Sequence, residues 1–326
     1  MPGNENDQER TAAYLQWPAH VPPPGTRSSY GVNSSLQPYN ILCQTICLTL
    51  VTGLILLRIY TKGRVLKILG LDDFASVVAW IGLIVFGCVL FQQDRHGAGK
   101  HLWAIKEQDY VEFIKWIKVG EVVYVLAMLA TKVSILLLYL RIFRPSRTMR
   151  IVIHVNLWIN VAVYVIGFGA GISWFVGPKA TGEVSGRVLG LASAIFNSVS
   201  DIAILLIPIS MVWTLKMAKE RKLAISAVFT TGIIGCVASL VRMALYVKHL
   251  KGYDDPTWQT YPEQLWSYAE ISAGILCGCM PAVPGFWKHL RERFGKKQTG
   301  GAPNNIHGPR DEKEIATYPP RAIREP

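Results

Sequence analysis

Seven stretches of about 18 or more predominantly apolar residues run along the chain, at roughly 39–59, 72–93, 117–140, 150–176, 189–214, 223–247 and 266–287. Each is long enough to cross a hydrocarbon layer as a helix. Helix is the expected state because a backbone left unpaired in lipid is costly, and the runs are too uniform for barrel strands. Short polar connections between them predict one compact domain, an all-α bundle of seven transmembrane helices over 39–290. Residues 1–38 are polar and interrupted by Pro22, Pro23 and Pro24, so the first helix is expected to act as its own insertion signal. Beyond residue 290 the composition turns to Gly300, Gly301, Pro303, Pro309, Pro319 and Pro320, which predicts a disordered tail over 291–326.

Composition agrees with a membrane chain: 51% of the 326 residues are hydrophobic and 17% charged, and the mean hydropathy is +0.27. The distribution of charge adds a direction. Arg58, Lys62, Arg64 and Lys67, then Arg144, Arg147 and Arg150, then Lys216, Lys219, Arg221 and Lys222, then Lys288, Arg291 and Arg293 fall on one side of the predicted spans. The opposite side mixes Asp94, Glu107, Asp109, Glu112, Glu183, Asp254 and Glu263 with fewer bases. The positive-inside rule therefore places the amino terminus outside and the carboxyl tail in the cytosol. Asn33-Ser34-Ser35 is a glycosylation sequon on the expected outer side. The net charge of +12 follows mostly from this asymmetry, so its partner is membrane lipid with anionic head groups, not nucleic acid. All six cysteines fall within or at the edges of the apolar runs, where packing is the expected role.

Polar residues inside the runs are the candidates for chemistry, since charge in a bilayer is costly to keep. Glu121 and Lys132 lie eleven apart on the third helix, hence on nearly one face with Tyr124, and about 16 Å apart along the axis, so each needs a partner elsewhere. The fifth helix offers Ser193, Asn197 and Asp201; the sixth Gly235, Ser239, Arg242 and Tyr246; the seventh Ser267, Glu270, Gly274 and Cys277. Depth favours Arg242 with Glu270 or Glu121, and Lys132 with Asp201 or with Asp72 and Asp73 of GLDDF. Ion pairs that only fix helix packing are the plain alternative.

Familiar motifs are mostly absent. The seventh run has no lysine for a retinal Schiff base, and Tyr139-Leu140-Arg141 and Met280-Pro281-Ala282-Val283-Pro284 match animal receptor signatures poorly. DRHGAGKHLW places His96 and His101 on the outer side, where an exposed turn is favoured over a metal site. No cofactor and no metal is expected.

Taken in order, Arg58 before LGLDDF, HGAGKHLW, KVSILLLYLRIF, FNSVSDIAILLIPI, Arg242, and Glu270 before Pro281 resemble the fungal rhodopsin-domain family over roughly residues 40–290. The resemblance implies a rhodopsin-like bundle without retinal. It also implies one of two roles: a membrane protein of a secondary-metabolite pathway, as in satratoxin-type clusters, or a receptor similar to GPCRs. The loop WFVGPKATGEVSGRV lacks the cysteines often found there in the family, and residues 1–38 carry none, which favours the first role. In that reading the partner is a small apolar molecule held in an intramembrane pocket, where it is bound, moved or converted. Asp201, Glu121 and Glu270 would exchange protons, and Lys132, Arg242, Asn197, Tyr124, Tyr246, His96 and His101 would contact the ligand. In the receptor reading a cytosolic signalling partner docks on the basic loops.

Overall fold

A computed structural model describes residues 16–21, 35–143, 146–176, 183–212, 219–249 and 254–299. The sequon at Asn33 and residues 300–326 of the expected disordered tail lie outside them, whereas residues 291–299 of that tail are helical. The chain divides into two units at Trp287/Lys288. The first holds seven long helices: α1 (Gln37–Tyr60), α2 (Leu71–Arg95), α3 (Glu107–Ile142), α4 (Arg147–Val176), α5 (Glu183–Val212), α6 (Lys219–Lys248) and α7 (Pro256–Cys279). An eighth helix, α8 (Ala282–Thr299), begins in the first unit and continues into the second. Among the described residues six helices are long and apolar enough to cross a membrane, and a seventh span results if α7 and the start of α8 count as one.

Neighbours in sequence pack as neighbours in space from α1 to α7, and α7 packs back on α1, so the helices close into a ring. α3 and α7 also meet across the ring, as do α2 and α7. This makes α3 the central helix, with Ala127, Met128, Thr131, Lys132, Ile135, Leu136 and Tyr139 buried. Close approach depends on small residues. A Cβ at Gly82 would lie 2.9 Å from Ala127 Cβ where α2 meets α3. Two apolar layers fill the ring: Val51, Ile55, Leu83, Phe86, Tyr268 and Ile271 in one, Leu136, Tyr139, Ile153, Ile204 and Val228 in the other. Outward-facing Ile46, Leu50, Ile81, Val85, Ile166 and Leu206 are exposed, as lipid-facing positions are.

Two helix bounds depart from the apolar windows. α3 starts at Glu107 instead of 117 because its first turns are amphipathic, covering Phe113 while exposing Val111 and Lys115. α7 starts at Pro256, a residue suited to a first turn, and stops at Cys279. Pro281 has no N–H to continue the ladder, so the predicted run 266–287 is cut in two just after Met280.

Candidate functional site

The interior of the ring carries one connected polar cluster, built by α3 to α7. α3 contributes Tyr124 and Lys132, α4 Tyr164, α5 Asn197 and Asp201, α6 Arg242 and α7 Glu270. Lys132 Nζ is 2.9 Å from Asp201 Oδ1 and donates to the Asn197 carbonyl oxygen at 3.2 Å. Arg242 Nε faces Glu270 Oε2 at 3.2 Å. Asn197 ties the two pairs together: its Nδ2 donates to Glu270 Oε1, and its Oδ1 accepts the Tyr164 hydroxyl at 2.5 Å. The Tyr124 hydroxyl donates to Glu270 Oε2 at 2.9 Å. Both cations also lie over aromatic faces, Lys132 at 5.4 Å from the Tyr164 centroid and Arg242 at 4.8 Å from that of Tyr124.

Lys132 and Glu270 are each 1% exposed, while the side chains of their partners Asp201 and Arg242 keep 12% and 16%. Two cations meet two carboxylates, and neutrality is what permits such burial. Satisfaction is incomplete at one atom of the acids: Asp201 Oδ2 is buried without a hydrogen-bond partner. Beside the cluster lies a cavity of about 40 Å³ between α3, α5, α6 and α7, lined by Asp201 and Glu270 and by apolar Met128, Ile135, Ile204 and Leu205. It holds roughly two or three waters, well short of the ~300 Å³ that a drug-sized ligand occupies.

The periodicity of the sequence thus brings Lys132, Asp201, Asn197, Tyr124, Arg242 and Glu270 into one cluster. Four other candidates stand apart. Glu121 is exposed on the flank of α3, within electrostatic reach of Glu263, Arg242 and Lys118. Tyr246 lies on α6 against Gly190 of α5. His96 and His101 sit in the turn after α2, beyond the far end of the cluster. His96 Nδ1 is 3.8 Å from Asp109 Oδ1 at the start of α3, about 22 Å along the axis from Tyr124. His101 is sandwiched between Trp103 and Trp258, with centroids at 4.4 and 4.3 Å, and bonds Asp255 Oδ2 at 2.7 Å. Among the described residues no three His, Cys, Asp or Glu side chains group as metal ligands, and all six cysteines are free.

A second charged assembly decides between the two pairings left open for Lys132. Asp72 and Asp73 do not reach Lys132; they are taken by three other cations at the opposite end of the ring. Arg58 binds Asp72 Oδ2 at 2.7 Å and Asp73 Oδ1 at 2.8 Å. Lys62 contacts both aspartates, Asp73 at 2.7 Å, and Arg141 reaches Asp72 Oδ1 at 3.2 Å. Arg58 donates also to the Gly278 carbonyl. One clamp therefore joins the ends of α1, α2, α3 and α7. Tyr164 was not singled out in the sequence, and Arg58 and Lys62 were read there as cytosolic-side bases, Arg58 also within the family resemblance, but not as partners of Asp72 and Asp73. Asn156, Asn160 and Tyr164 recur every four residues along α4 and would have marked its face, and Arg58 and Lys62 look like ordinary juxtamembrane bases.

A ring of long apolar helices around a neutral but charged interior defines a multi-pass α-helical membrane protein. The chain belongs to the fungal rhodopsin domain family, which matches residues 57–289. It is similar to a SAT4 family membrane protein of Emericella nidulans, 35% identical over 224 residues that make up 66% of this chain and 56% of that protein. The chain thus spans little more than half the length of that relative. Fugralins biosynthesis cluster protein 2 of Gibberella zeae is 25% identical over 322 residues, 89% of this chain and 77% of the relative. Polyenoic acids biosynthesis gene cluster protein Ba17b of Metarhizium anisopliae is 24% identical over 291 residues, 82% and 77% of the two chains. No solved structure matches the chain.

Proposed function

We propose that this membrane protein serves a secondary-metabolite biosynthetic pathway by binding, moving or converting a small apolar intermediate at the Lys132–Asp201–Asn197–Glu270–Arg242 cluster. The observation that carries the reading is the pairing of buried acids and bases with an apolar-walled cavity, Asp201 and Glu270 lining both. Support comes also from relatives named for biosynthesis clusters. In the conversion form of the proposal, Glu270 and Asp201 exchange protons with the ligand while Arg242 and Lys132 stabilise developing negative charge. Deleting the gene and comparing extracts tests this: a missing product or an accumulated intermediate is expected, and an unchanged metabolite pattern overturns it.

A second reading, a receptor, draws on the clamp. Arg58, Asp72, Asp73 and Arg141, with the Gly278 carbonyl, join four helices at the end where Arg141 closes α3, the expected cytosolic side. Breaking those pairs would change helix packing there and offer a surface to a signalling partner. Crosslinking that captures no cytosolic partner under inducing conditions counts against it.

A further inference from the structure

Glu121 is exposed on α3, yet it does not face lipid. It lies one turn before Tyr124 on the stripe that runs through Met128 to Lys132, the face turned into the ring. Tyr124 on that stripe bonds Glu270 of α7, and Lys132 meets Asp201 of α5. The residues beside Glu121 point elsewhere: Gly120 packs on Val89 and Gln93 of α2, and Val122 on Gly171 of α4. Around Glu121 stand Arg242 of α6 and Glu263 of α7, both within electrostatic reach. Ser193, one turn above Asn197 on α5, is exposed as well. Exposure on an inward face means that the ring is open there. The opening is a vestibule at the end remote from the clamp, with Tyr124, Arg242 and Glu270 as its floor. Towards the clamp the ring is filled by Leu136, Tyr139, Ile153, Ile204 and Val228.

Charge in the vestibule is not balanced. Lys132 is taken by Asp201 and Arg242 by Glu270, and Glu263 faces His249 at 3.1 Å. Lys118 stands one turn before Val122, on the side of α3 toward α4, and acts on Glu121 only at longer range. Glu121 itself has no ion pair and no hydrogen bond with any described residue. One carboxylate is thus left to water and to whatever else enters.

We propose that this vestibule is the way into the Glu270 cluster and a binding site for a cationic amine, which Glu121 selects. An amphipathic ligand sets its protonated nitrogen against Glu121 and the rest of its body below, toward Glu270. Selection follows from the enclosed mouth: over a few ångströms, with little screening, the carboxylate attracts an ammonium group and repels a carboxylate or sulfonate. The inference takes its ligand from the metabolite reading, narrowing it to molecules with a basic nitrogen. Its test needs no metabolite, so the two can fail separately.

Thiol labelling of the full chain in phosphatidylcholine nanodiscs tests both the opening and the selection. The probes are a trimethylammonium and a sulfonate methanethiosulfonate of similar size, each rate being divided by that with free 2-mercaptoethanol. Glu121→Cys is expected to react with the cationic probe well above wild type, whose six cysteines lie within or at the edges of the apolar runs. A rate at the wild-type level overturns the vestibule; should this variant fail to fold, an unreactive Ser193→Cys overturns it. In Ser193→Cys the cationic probe is expected to react about tenfold faster than the anionic one. Adding Glu121→Gln should bring that ratio near one, while Glu121→Asp keeps most of it. A ratio near one with Glu121 in place, or a ratio that Glu121→Gln leaves unchanged, overturns the amine site.

Discussion

Lys132 shows how a single residue in an apolar helix is read by its partner. Removing its charge leaves Asp201 buried with neither oxygen compensated, and breaking a buried pair from one side costs about 3–5 kcal/mol. Lys132→Met should therefore lower the Tm of the purified protein sharply, and Lys132→Met with Asp201→Asn should recover part of the loss. A double-mutant cycle measures that coupling, and additivity of the two changes would contradict the pairing. Asn197→Ala is a subtler probe. It removes a donor to Glu270 and the acceptor of Tyr164, a loss of about 1–3 kcal/mol. The Lys132 contact uses the Asn197 backbone oxygen and should survive. Lys132, Asp201, Arg242 and Glu270 were legible from depth and face alone, because charge in a lipid-crossing helix has few places to go. Which acid Lys132 takes was not. Its stem reaches two levels, and only the distribution of Arg58, Lys62 and Arg141 over Asp72 and Asp73 leaves Asp201 as the partner.

At the level of elements, the π-turn Thr61–Val65 that extends α1 carries Lys62 inward, so that an apparently topogenic base becomes 8% exposed and bonds two aspartates. The positive-inside pattern could not separate such a base from a solvated one, since both sit within a few residues of a helix end. Asp72→Asn removes half the negative charge facing three cations, so a loss of several kcal/mol is expected, about 3–5 by the same one-sided reasoning. Limited proteolysis should then cut the 61–70 connection faster, and unchanged cleavage would contradict the clamp. Between α3 and α7, Gly274 packs on Thr131, where a Cβ would come within 2.5 Å of its methyl carbon. Gly274→Val should force those helices apart and lower Tm, while Thr131→Ser in the same chain should restore part of it. The bounds of α3 and α7 were misplaced in the sequence for opposite reasons. Hydropathy misses the amphipathic start of α3, and it runs through Pro281, whose effect is on backbone geometry instead of polarity.

At the level of the molecule, polarity is stacked along the axis of the ring. Asp94, Asn40 and Tyr261 lie at one end, the Glu270 and Lys132 cluster in the middle, and the clamp at the other, with Ser76 and Ser134 bonded at 2.6 Å beside it. The all-α class and the six or seven spans were readable because 20-residue apolar runs have few alternatives in a membrane. The closing of the ring by α1 and α7 was not, since it depends on contacts far apart in sequence. The central claim is that the buried cluster acts on a metabolite and is not only a packing device. Its most direct measurement compares extracts from the wild-type strain, the gene deletion, and the deletion complemented with wild-type or Glu270→Gln protein at matched abundance. The account predicts that wild type restores the product and that Glu270→Gln, present and folded, leaves the deletion pattern. A Glu270→Gln strain with the wild-type metabolite pattern would contradict it.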